Sequence, residues 1–352
     1  MAQNISNMSA GSKEARTPSP LLDIRNLSVV FTTRNQVVHA VNDVSYTLEE
    51  GQTLGIVGES GSGKSVHALA MLGLIPVPPG RVLSGEVWFR GRNLLALSKH
   101  ELEDIRGKEI SFIFQDPMTA LNPVLTVGRQ ISEPLMRHRG MTRRQAMVRA
   151  AELLDMVGIR DAAKRLDQFP HEFSGGMRQR VMIAIGIACE PKLLIADEPT
   201  TALDVTVQGQ ILDLVCELRE RLKMAMIWIT HDMGVVAGLA EIIQVMYAGR
   251  VVERGPVDAV FDHPRNAYTL GLLQSLPSSA LGGRLQPIPG QPPDLRVPAV
   301  GDPFAPRNPF ATERCFKEVP PLRPVPGSPD HFVAAWYDLP KLSATADGEN
   351  DA

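Results

Sequence analysis

The stretch that most constrains this chain runs from Thr53 to Leu74. A short apolar run, Thr53-Leu54-Gly55-Ile56-Val57, ends in Gly58-Glu59-Ser60-Gly61-Ser62-Gly63-Lys64-Ser65, and helical character resumes from Val66 to Leu74. Strand, glycine-rich loop and helix in that order call for an α/β layout. The octet satisfies GxxxxGK(S/T). Its glycines let backbone N–H groups turn inward around phosphate oxygens, Lys64 can reach the β and γ phosphates, and the Ser65 hydroxyl suits magnesium. The positive end of the following helix adds to the attraction.

A second run, Leu193-Leu194-Ile195-Ala196, leads into Asp197-Glu198. Apolar on both faces, it reads as a central strand of a parallel sheet, as does Met226 to Ile229. Two acids leaving such a strand sit at the C-terminal sheet edge, where ligands bind. Alone, the pair fits equally well a buried strand ending in solvated acids. Beside a phosphate-binding loop, Asp197 becomes a magnesium holder and Glu198 a general base for an attacking water. Ser174-Gly175-Gly176-Met177 opens a helical segment through Ile187, so its hydroxyl and N–H groups lie at a helix N-terminus; a capped helix after a tight turn reads the same way.

The rest of the chain supplies the frame. From Leu22 to Leu48, β-branched and aromatic residues between polar breaks predict antiparallel strands with a turn at Thr33 to Gln36. Ala146, Ala150, Leu153, Leu154 and Val157 recur at helical spacing, with Thr142 as N-cap and Gly158 as the stop. After about Gly255 the character changes, proline is frequent from Pro277, and an appendage is expected to start near Phe261. Residues 1–20 and 343–352 have the composition of disordered segments. A net charge of −3 gives no basic footprint for nucleic acid. Cys189, Cys216 and Cys315 form no CxxC pair, which fits a reducing compartment. No run of about 18 apolar residues occurs, so a role at a membrane would need another chain for the pore.

The order of these motifs resembles the ABC ATPases, whose signature is usually written LSGGQ. Here Phe173 and Met177 replace its Leu and Gln, and HEFSGGMRQR is similar to the peptide-transporter branch. The resemblance spans Leu22 to Leu342 and implies a P-loop NTPase (RecA-like) α/β core at 21–260. That core would carry an antiparallel β subdomain, an inserted helical subdomain at about 116–180, and a small C-terminal extension at 261–342. It implies that Gln115, after the strand-like Ile110 to Phe114, touches the metal and the water, that Ala202-Leu203-Asp204 is the D-loop, and that His231 contacts the γ-phosphate. Phe31 is the candidate for stacking on adenine, with a core phenylalanine the equal alternative.

His263-Pro264-Arg265-Asn266-Ala267-Tyr268-Thr269 and Pro287-Ile288-Pro289-Gly290-Gln291-Pro292-Pro293 resemble the extension of peptide and nickel importer ATPases. Some of those proteins hold an iron-sulfur cluster there. The matching positions here read Asp302, Asn308, Cys315 and Ala335, so no cluster is expected and Cys315 reads as a semi-buried thiol. The resemblance thus implies ATP and Mg2+ as ligands and a second ATPase subunit whose nucleotide would face Ser174 and Gly176. Two permease subunits, a periplasmic solute-binding protein and a place on the cytoplasmic face of a bacterial inner membrane follow from it. Peptides lead as solute, with nickel or another small solute behind. A DNA-maintenance ATPase is disfavoured because no sustained heptads separate Gly58 from Ser174, a GTP switch because no Asn-Lys-x-Asp occurs, and an exporter by the extension.

Overall fold

The structure is a computed structural model that describes residues 19–34, 36–201, 203–276 and 287–339. Its strands are β1 (Leu22–Thr32), β2 (Val37–Leu48), β3 (Thr53–Val57), β4 (Gly80–Phe89), β5 (Arg92–Asn93), β6 (Ile110–Ile113), β7 (Leu193–Asp197), β8 (Ala225–Thr230), β9 (Ile242–Tyr247), β10 (Arg250–Pro256), β11 (Arg323–Val325) and β12 (Ser328–Val333). The helices are α1 (Lys64–Met71), α2 (Lys99–Ile105), α3 (Pro117–Ala120), α4 (Val127–Arg139), α5 (Arg143–Met156), α6 (Ala162–Arg165), α7 (Gly175–Ile187), α8 (Val205–Leu222), α9 (Met233–Leu239), α10 (Val257–Asp262) and α11 (Ala267–Gln274). None is long and apolar enough to cross a membrane.

Two sheets organise these elements. The first is antiparallel, in the order β2-β1-β4-β5, and Thr33 N–H donating to the Gln36 carbonyl closes the expected turn between β1 and β2. The second runs β11-β12-β10-β9-β3-β8-β7-β6. Within it β6, β7, β8, β3 and β9 are mutually parallel. Every residue of β3, β7 and β8 is buried, which is why these strands read as unbroken apolar runs and not as alternating ones. Trp228 is wholly enclosed in β8, and burial of such a side chain stabilises the fold by about 2–3 kcal/mol.

Helices α3 to α7 lie between β6 and β7 in sequence and form the inserted helical layer. Its core joins Val127, Ile131 and Leu135 of α4 to Ala146, Ala150 and Leu153 of α5 and Val181 of α7. Helix α5 begins where its sequence predicts: Thr142 Oγ1 accepts from the Gln145 N–H at 3.4 Å, and Gln145 Oε1 accepts from the Thr142 N–H at 2.9 Å. Thr142→Ala should therefore cost about 1 kcal/mol locally, seen as roughly fivefold faster hydrogen exchange at the Gln145 amide. An unchanged rate would show that the cap contributes nothing.

Residue 261, where the appendage was expected to start, lies inside α10. Strand β12 pairs with β10 through Glu253↔Val333 and Arg254↔Phe332, so the C-terminal segment continues the main sheet. The expected half-exposure of Cys315 is corrected: the thiol is fully buried, because the chain turns over it and its carbonyl accepts from the Asp302 N–H at 2.7 Å. Asp302, Asn308, Cys315 and Ala335 are all buried, but acid, amide, one thiol and a methyl are not the donor set of an iron-sulfur cluster.

Candidate functional site

The C-terminal ends of four parallel strands meet at one edge. Strand β3 ends at Val57 and delivers the Gly58–Ser65 loop, β7 ends at Asp197 before Glu198, β8 ends at Thr230 before His231, and β6 ends two residues before Gln115. Between them lies a cavity of about 520 Å³ lined by Glu59, Ser60, Gly61, Ser62, Gly63, Lys64, Ser65, Val66, Gln115, Glu198 and His231.

The loop has its shape because glycine permits it. Gly63 has φ +96° and caps α1, and a Cβ there would run into the Ala40 carbonyl oxygen. Helix α1 consequently starts at Lys64, two residues before its apolar periodicity becomes visible. Its first-turn residues Lys64, Ser65 and Val66 have N–H groups without a partner inside the helix and line the cavity, as an anion site requires. Below the loop, His67 Nε2 lies 3.1 Å from the Tyr46 hydroxyl and ties α1 to the antiparallel sheet. Burial pushes the His67 imidazole down to about 4, so it stays neutral near pH 7.

Lys64 is 4% exposed, and its Nζ donates to the carbonyls of Gly58 at 2.7 Å and Glu59 at 3.0 Å. Burial lowers its pKa, while Glu198, Asp197 and Glu59 pull the other way. Ser65 Oγ donates to Asp197 Oδ1 at 2.8 Å. Burial raises the Asp197 pKa, and the Ser65 hydroxyl opposes that. This hydroxyl and carboxylate are hard oxygen donors side by side, the set that suits a Mg2+ ion taking most of its ligands from phosphate and water.

Glu198 is the hub. Its Oε2 accepts from Gln115 Nε2 at 3.1 Å and from Thr201 Oγ1 at 3.1 Å, and His231 Nδ1 lies 3.4 Å away. Its Oε1 is 4.0 Å from Lys64 Nζ. The backbone at Glu198 has φ +44°, a conformation costing of order 1 kcal/mol for a non-glycine residue, and its N–H donates to the Ile229 carbonyl at 2.8 Å. That bond to β8 turns the carboxylate into the cavity.

Other expected residues lie elsewhere. Ser174 caps α7, its Oγ accepting from the Met177 N–H, while Gly175 lies against Leu203, just before α8, and Gly176 against Val207 in the first turn of α8. Asp204 caps α8 by accepting from the Val207 N–H at 2.9 Å. None of these four lines the cavity. Ala202 of the D-loop lies outside the described residues. Phe31 pairs with Val38 and Gly80 and packs partly buried against the antiparallel-sheet core, away from the cavity lining. Sequence reading missed Thr201, for which no local signal exists.

Residues 41–201 match the family model described as ABC transporter, and residues 252–315 match Oligopeptide/dipeptide transporter, C-terminal region. The chain is 51% identical over 327 residues to the oligopeptide transport ATP-binding protein OppD of Bacillus subtilis, covering 92% of this chain and 91% of that one. The chain belongs to the ABC transporter ATPases. The dipeptide transport ATP-binding protein DppD of Lactococcus lactis is 50% identical to this ATPase, with 94% of each covered. Among solved structures, a dimeric ABC cassette bound to ADP and Pi after hydrolysis, MJ0796, shares 29% identity and a TM-score of 0.60 over 67% of this ATPase and 98% of its own chain.

Proposed function

We propose that this ABC ATPase powers the import of peptides through separate permease subunits, working on the cytoplasmic face of a bacterial inner membrane with a periplasmic solute-binding protein. The observation that carries the catalytic part is the meeting of Lys64, Gln115, Glu198 and His231 around one loop-lined cavity. The peptide part is supported by the relatives, which are peptide-transport ATP-binding proteins by name.

In this reading the triphosphate of ATP lies in the cradle of Gly58 to Ser65, with Lys64 on its outer phosphates. Ser65, Asp197 and Gln115 would hold Mg2+, which neutralises phosphate charge when bound. Glu198 takes the proton of the attacking water, while Gln115, Thr201 and His231 keep its carboxylate aimed. Ser174, Gly175, Gly176 and Asp204 sit outside the cavity, so we assign them to the nucleotide of a second ATPase subunit. Phe31 remains the aromatic proposed for adenine.

Gln115 is followed by exposed Met118 on α3 and exposed Val124, with exposed Phe114 before it. These exposed apolar side chains flanking Gln115, the residue assigned to the metal and the water, suit contact with the permeases, so that closure of the site moves the membrane subunits. The test is uptake of a radiolabelled tripeptide in cells lacking this gene. Wild-type chain should restore uptake and Glu198→Gln should not; uptake of peptide that is normal without the chain, with nickel uptake lost, would overturn the peptide assignment.

A further inference from the structure

The P-loop is not held by the ATPase core alone. The Glu59 backbone N–H donates to the Tyr268 hydroxyl at 2.7 Å, and Tyr268 is the tyrosine of the HPRNAYT segment. The Glu59 carboxylate is gripped by a two-pronged pair with Arg307: Nη1 to Oε2 at 2.7 Å and Nη2 to Oε1 at 2.9 Å. Arg307 also donates through Nε to the Pro289 carbonyl at 2.8 Å and through Nη1 to the Tyr247 hydroxyl at 3.1 Å. Its guanidinium lies over the rings of Tyr247 and Phe304, which pack with Tyr268 into a three-ring cluster. The Arg307 side chain is 5% exposed, so this is a fixed arrangement and not a mobile surface pair.

The frame behind it is equally tied down. Buried Glu253 of β10 accepts from the N–H groups of Arg265 and Asn266 at 2.6 and 3.0 Å, and His331 Nε2 of β12 lies 2.7 Å from it. Asn266 in turn caps α11 by accepting from the Tyr268 N–H. The extension therefore arrives at the loop at a set distance.

Glu59 is a carboxylate inside a loop built to receive a polyanion. Left unpaired it would repel the incoming phosphates; paired with a fixed guanidinium it does not. We propose that Arg307 and Tyr268 are positioning residues of the nucleotide site, through which the C-terminal extension neutralises and orients Glu59 and so sets the affinity for ATP. This rests on the assignment of Gly58 to Ser65 as the triphosphate cradle.

The experiment is calorimetric titration of the full-length chain with Mg-ATP. R307M should weaken binding about tenfold, the size of one uncompensated charge at a partly exposed site, and the loss should shrink as salt is raised. Adding E59Q to R307M removes the unpaired charge and should restore affinity to within about threefold of wild type. R307K, which keeps the cation and loses the fork, should fall between and serves if R307M does not fold. Wild-type affinity in R307M or, should it not fold, in R307K, overturns the proposal, as does a loss in R307M that E59Q does not recover. Failure of the wild-type chain itself to bind Mg-ATP would instead strike the cradle assignment.

Discussion

Glu198→Gln is expected to leave Mg-ATP affinity within about threefold of wild type while turnover falls by about 10² to 10⁴, the usual span for loss of a general base. The amide has the carboxylate's size and can still accept from Gln115 and Thr201 through its oxygen, so the cavity keeps its shape. What it loses is the basic oxygen that would take the water's proton. Removing a negative charge 4.0 Å from Lys64 also frees that lysine to meet phosphate, which argues against any loss of binding. The decisive reading is single-turnover phosphate release with the chain in excess over ATP and its concentration varied, where a defect confined to chemistry lowers the maximal rate without changing the half-saturation point. A variant that releases phosphate at the wild-type rate removes Glu198 from the role. A variant that also fails to bind would mark it as a residue of the cradle.

The reasons this site was partly legible in the sequence are physical. Strands buried on both faces show as apolar runs, so β3, β7 and β8 and the acids that leave them could be placed from composition over five or six residues. Caps are short-range chemistry, which is why Thr142 and Ser174 stand where expected. The left-handed backbone of Glu198 has no such trace, because glutamate carries no preference for it; the Ile229 carbonyl on the neighbouring strand imposes it. Thr201 is hidden for the same reason. The hold on Glu59 comes from residues 209 and 248 positions away, beyond the reach of any periodicity. The HPRNAYT segment was visible as a pattern, but its role at the loop emerges only when α11 is packed against β9. Cys315 was misjudged because the Pro-rich composition around it reads as a thin appendage, whereas the segment folds over its own core and onto β10.

Lys64→Ala should abolish useful nucleotide binding, raising the dissociation constant of Mg-ATP by at least about 100-fold. Two effects act in the same direction. The ammonium that would bond the outer phosphates is gone, and a charge-assisted hydrogen bond contributes about 1.5–3 kcal/mol. At the same time Glu198 and Asp197 lose the cation that offsets them and face the triphosphate with their full repulsion. The chain itself should still fold, because alanine takes away a buried cation together with its desolvation cost and leaves only the Gly58 and Glu59 carbonyls to find water in an open cavity. Thermal unfolding separates these possibilities. Nucleotide at a hundred times its dissociation constant stabilises a protein by about 2.7 kcal/mol, so the wild-type chain should melt several degrees higher with Mg-ATP than without. In Lys64→Ala the melting temperature without nucleotide should stay near wild type and the shift with Mg-ATP should vanish. A full shift in that variant would mean that the cradle of Gly58 to Ser65 is not where the phosphates lie, and every role assigned around it would have to be redrawn.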